Sequence, residues 1–195
     1  MNIVSSGLSA FMLREQSFSD FSFPRWQSVL AITLVGVLAG LDPRMTTPQP
    51  GMPKTAVMSQ GMAIGFCVGL IWLCFLIGLG IARWWVKRGG RWDGEGDLFN
   101  LIAATWFLPD ALAALVAILG GPDLLGLVLW MFSVWVAGNA LSSAIPKVSL
   151  GYAIGGICIS VVLMLVVMTV ALVGVSIFLM GGLPPPQAGV ALGGG

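Results

Sequence analysis

The sequence contains no histidine at all in 195 residues. That absence excludes Ser-His-Asp and Cys-His catalysis, zinc sites of the HExxH type and histidine-ligated haem. Charge is scarce too: 9% of residues are charged, against about 25% in a soluble domain. A surface so poor in charge does not stay in water. With 57% hydrophobic residues, the medium around most of the chain is lipid. A net charge of +1 offers nothing to a nucleic acid. The three cysteines, Cys67, Cys74 and Cys158, fall inside apolar runs and form no CxxC pair, so they read as small buried hydrophobes. No catalytic constellation and no cofactor motif is left, and the expectation is a non-enzymatic protein.

Long apolar runs are abundant. A spanning helix needs about 20 predominantly apolar residues, because lipid cannot hydrogen-bond a bare backbone. Five spans are expected, over residues 26–41, 56–82, 98–119, 124–144 and 148–180; the first is short and the last is long enough to tilt. The expected fold class is therefore all-α, an integral membrane bundle of five transmembrane helices over 26–180. Residues 42–54 hold Pro43, Pro48, Pro50 and Pro53 and read as a stiff extended loop. Residues 89–97 are rich in glycine and charge, and 120–123 and 146–147 read as tight turns. The tail 181–195, with three consecutive prolines and a glycine end, is expected to be flexible.

With five spans, seven of the nine Lys and Arg residues (Arg14, Arg25, Arg83, Lys87, Arg88, Arg91 and Lys147) fall on one side, and Arg44 and Lys54 on the other. The positive-inside rule then places the N-terminus in the cytosol and the C-terminus outside. Residues 1–25 carry no basic stretch leading into an unbroken apolar core, so they read as mature chain rather than a secretory signal. Val4, Leu8, Phe11 and Met12 share a helical stripe, which suggests a short amphipathic helix on the cytosolic membrane surface.

Asp110 stands out among the polar residues. It lies about 18 Å into the third span at about 1.5 Å per residue, where a charged carboxylate costs at least about 2.5–3.5 kcal/mol. No Lys or Arg reaches that depth; Ser133 and Ser160 do. Asp110 is then either protonated or faces a water-filled cavity. One reading is a proton- or cation-linked site. The other is a hydrogen-bonded plug beside a Pro109 kink, whose freed backbone groups need partners. Asn139, Ser142 and Ser143 are candidates for bonds across helices near the cytosolic end of the fourth span. Gly36 and Gly40, then Gly61, Gly65 and Gly69, then Gly151 and Gly155 repeat every fourth residue, a spacing that lets helices approach closely within one chain or between copies. Asp93, Glu95 and Asp97 have the spacing of a calcium loop, but Leu98 and Ala104 stand where glycine and glutamate belong, so they read as a solvated loop.

Two segments complete the pattern. Residues 89–112 read GGRWDGEGDLFNLIAATWFLPDAL, a glycine-rich linker followed by a span broken by a proline. Residues 142–156 read SSAIPKVSLGYAIGG, a lysine turn before a small-residue helix start. With five spans and a cytosolic N-terminus, residues 57–175 resemble the Yip (Ypt-interacting protein) membrane family in its compact bacterial form. The resemblance implies a multi-pass membrane protein, and the short loops favour a bacterial inner membrane, with Golgi or endoplasmic reticulum membrane as the alternative. The resemblance marks Pro109 and Lys147 and carries over no catalytic residue. The Asp-Leu-Tyr-Gly-Pro-type motif of eukaryotic members, linked to Rab GTPases, is absent. Thr105, Trp106, Phe107 and Leu108 stand where many bacterial members carry a Tyr-Ser pair. The expected function is a non-enzymatic membrane-organising scaffold that binds a membrane partner or a second copy; the alternative is a small transporter or channel subunit built around Asp110.

Overall fold

The computed structural model describes residues 2–47 and 58–181. Pro48, Pro50, Pro53 and Lys54 of the expected stiff loop, and residues 182–195 of the expected tail, lie outside the described residues. Among the described residues all regular structure is helical: α1 Ile3–Phe11, α2 Arg25–Gly40, α3 Gln60–Arg88, α4 Leu98–Ile118, α5 Asp123–Ala144 and α6 Leu150–Gly181.

Several helix starts are written in the local sequence. Asn2 and Ser5 cap α1 reciprocally, the Ser59 hydroxyl accepts from the Met62 N–H, and the Asp97 carboxylate accepts from the Asn100 N–H. Gly96, at φ 89°, has the Phe18 ring packed where a Cβ would stand, so a glycine is required twice over just before α4. Part of the expected extended loop is instead a 3-10 turn, Pro43–Met45, with Asp42 capping it. Proline at the first position of such a turn forfeits no hydrogen bond.

Among the described residues four helices, α3 to α6, are long and apolar enough to cross a membrane. The expected first span corresponds to α2, whose 16 residues rise about 24 Å, short of the roughly 30 Å hydrocarbon core. α2 packs antiparallel on α3. A Cβ at Gly36 would lie 2.7 Å from the Val68 Cα, and one at Gly40 would lie 2.5 Å from the Ile64 Cα. The Trp72 indole N–H donates to Thr33 Oγ1 across the same pair at 3.1 Å.

The main contacts form a closed ring in the order α2, α3, α6, α5, α4 and back to α2. Arg25, Arg88, Arg91 and Lys147 gather at one end of this ring, hereafter the basic end; Asp42, Arg44 and Asp123 mark the other. At the basic end Trp85 stacks on Tyr152, and the two exchange bonds, indole N–H to the Tyr152 carbonyl at 3.0 Å and phenol O–H to the Trp85 carbonyl at 2.8 Å.

α1 has contacts that its apolar stripe does not announce. It packs outside the ring across α4 and α5. Ser6, Gly7 and Ala10 form its buried face, with Gly7 against the Ala104 carbonyl and Phe11 edge-on to Phe132 at 5.3 Å. Val4, Leu8 and Met12 of the expected stripe remain exposed on the outer side.

Candidate functional site

α4 carries two polar residues into the bundle, and they are treated in opposite ways. Asn100, in its first turn, is fully buried. Its Oδ1 accepts from the Ser28 hydroxyl at 2.8 Å, and its Nδ2 donates to the carbonyls of Phe21 at 2.9 Å and Phe23 at 2.6 Å. The neighbouring Asp97 pairs with Arg25 at 2.9 Å. This set ties the segment before α2 onto the start of α4. The fourfold capacity of a primary amide is nearly used up there.

Asp110 lies further along the same helix. It opens onto a cavity of about 280 Å³ inside the ring. All five ring helices supply walls: Val35 from α2, Cys74 from α3, Trp106 and Asp110 from α4, Ser133 from α5 and Ser160 from α6. The cavity reaches Asp42 just beyond α2. Its volume is near the lower end of the roughly 300–1,000 Å³ of ligand pockets and far above the roughly 10–15 Å³ that one water requires.

Among the described residues the Asp110 carboxyl has no hydrogen-bond or ion-pair partner. A hydrogen-bonded plug beside Pro109 would thus have to draw on something other than the described residues. Pro109 itself is buried inside α4 and supplies no N–H to the Thr105 carbonyl. The Thr105 hydroxyl turns to Ile102 O at 2.8 Å rather than to Asp110. The two serines are also self-contained as donors: Ser133 Oγ donates to Trp130 O at 2.6 Å and Ser160 Oγ to Gly156 O at 3.0 Å. Each keeps lone pairs for a visitor. Asp110, Ser133 and Ser160 thus meet in one space, as their shared depth suggests.

Other expected residues lie apart. Ser142 and Ser143 both donate to the Asn139 carbonyl within α5, so they do not bond across helices. Lys147 is exposed in the α5–α6 turn. A Cβ at Gly61, Gly65, Gly69 or Gly151 would meet nothing within 4 Å, so these glycines do not bring described helices together. A Cβ at Gly155 would meet Trp85 at an ordinary 3.8 Å; the close approach falls one residue on, where a Cβ at Gly156 would lie 2.5 Å from Trp85 Cδ1. Asp93, Glu95 and Asp97 are divided between a local turn and the Arg25 pair.

Asn100, Asp42 and Cys74 are what sequence reasoning missed. Asn100 follows an Asp cap by three residues, a spacing that signals a helix start and nothing about Phe21 or Phe23. Cys74 looked like any apolar residue because its seat on the cavity depends on how α3 is rotated. No family model matches this chain, nor does any curated protein or solved structure, so the Yip resemblance rests on its two sequence segments alone.

Proposed function

We propose that this chain is a multi-pass membrane protein of the small transporter or channel type, with Asp110 as its intramembrane proton- or cation-linked residue. In this reading α2 completes a five-span bundle with the basic end in the cytosol, as the distribution of Lys and Arg supports. A bacterial inner membrane is the proposed location, and five spans with a cytosolic N-terminus are the topology on which the Yip resemblance was drawn. The observation that carries the proposal is the meeting of an unpartnered acid and two serines in one cavity lined by every helix of the ring. An acid kept inside a bundle without a partner is costly, and a protein that needed only packing would gain from an apolar residue there.

Cys74 provides the test, because it lines the same cavity. In a Cys67→Ser, Cys158→Ser background, a small water-soluble methanethiosulfonate reagent is expected to modify Cys74 in proteoliposomes within minutes. A Cys74 that reacts only after detergent unfolding would overturn the proposal, since the cavity would be dry. The scaffold reading stands second. It is favoured by the open glycine faces at Gly61, Gly65 and Gly69, which leave room for another helix. Co-purification of a membrane partner in mild detergent, lost on Gly65→Leu, would support it.

A further inference from the structure

Resting on that reading, we propose that the cavity binds a lipophilic monovalent ammonium, an amine with an apolar body, with its head at Asp110 and Ser160 and its body against the tryptophan and methionine wall. The charge inventory points there first. Asp110 and Asp42 both line the cavity, and no Lys or Arg does. The nearest guanidinium on that end, Arg44, is engaged by the Asp123 carboxylate and the Gly121 carbonyl. An anion would meet two acids and no compensating charge, in surroundings where apolar walls weaken screening.

Size and chemistry separate the remaining cations. A calcium ion takes 6–8 oxygen ligands, and magnesium demands a near-octahedral set. Here two carboxylates, Asp42 and Asp110, and two serines are the oxygen-bearing side chains of the lining, too few for either set, and no cluster of three His, Cys, Asp or Glu occurs among the described residues. A proton alone needs no cavity of about 280 Å³. The walls are mostly apolar, with Trp106, Trp130, Met164 and Met168 among them. Hydrated inorganic ions gain nothing from such walls, whereas an alkyl chain does. Tryptophan faces are the aromatic surfaces most favourable to a nearby cation, and methionine side chains adapt to an apolar body. The lone pairs that Ser133 and Ser160 retain accept from an ammonium N–H.

The experiment uses the full chain in proteoliposomes, with Cys74 as the only cysteine. Its modification rate by a neutral methanethiosulfonate is followed with hexylamine, sodium hexanoate or ammonium chloride present. Hexylamine is expected to slow the reaction several-fold, hexanoate of the same length not at all, and ammonium chloride little. Asp110→Asn is expected to remain modifiable and to lose the protection. Equal protection by hexylamine and hexanoate would overturn the inference, as would no protection by either, or protection by ammonium chloride matching that by hexylamine. Those comparisons hold on the unmutated Asp110 protein, so a poorly folding Asp110→Asn leaves them decisive. Persistence of hexylamine protection in a folded Asp110→Asn also overturns it. An unreactive Cys74 is a different failure, that of the transport reading itself.

Discussion

Asn100 and Asp110 sit on one helix of one bundle, and the chain spends them differently. Around Asn100 every polar side-chain atom has found a protein partner: Ser28, Phe21 and Phe23 close around it and take three of its four bonds. Around Asp110 the neighbours withhold theirs; Ser133, Ser160 and Thr105 all bond their own helices. Both side chains face the bundle interior, Asn100 buried and Asp110 half-buried on its cavity, so an inward position does not separate a structural polar residue from a functional one. What separates them is whether the surroundings complete the hydrogen bonding. A completed set holds helices together; an incomplete one beside empty volume invites something else to complete it.

Replacing Asn100 is the most severe way to probe the contrast. Asn100→Leu removes three bonds at about 1 kcal/mol each and leaves a hydroxyl and two carbonyls without their partner, so a loss of about 3 kcal/mol or more is expected in detergent unfolding. A loss below about 1 kcal/mol would show that the lock is dispensable. Next comes the α2–α3 contact. Gly40→Leu places a side chain where the Ile64 backbone already is; about 1–3 kcal/mol is expected, with loss of the Thr33–Trp72 proximity readable by tryptophan fluorescence. Ser28→Ala is milder, about 1 kcal/mol, because Asn100 keeps its two carbonyl acceptors. Smallest is Gly65→Ala, expected within about 0.5 kcal/mol for the monomer because a Cβ there meets nothing. A larger loss in the monomer would mean that α3 faces a neighbour not seen here.

The same residues show what a sequence can reveal. The extents of α4 and α5 were legible to within a residue or two, since a long apolar run bounded by turn residues needs no knowledge of its neighbours. α3 continues helically through Arg83–Arg88, past the apolar run, because basic and tryptophan side chains favour the interface without breaking a helix. Asp110, Ser133 and Ser160 were legible together because depth follows from counting along each helix. Contacts that depend on rotation about a helix axis were not. Gly36 and Gly40 pack on α3 while Gly61, Gly65 and Gly69, in an identical spacing, pack on nothing described. α1 shows the same limit: its apolar stripe was visible, but its small face of Ser6, Gly7 and Ala10 found α4, which only the assembled bundle reveals.

Unfolding of Asp110→Leu beside Asn100→Leu, in one detergent and by one probe, tests most directly the division between a lock and a site. The expected result is opposite signs: Asn100→Leu strongly destabilised, Asp110→Leu as stable as the parent chain or more so, because it removes an acid that holds nothing together and fills apolar space. An Asp110→Leu protein that loses as much stability as Asn100→Leu would contradict the account, for Asp110 would then be one more structural bond and the cavity would have no claim on it.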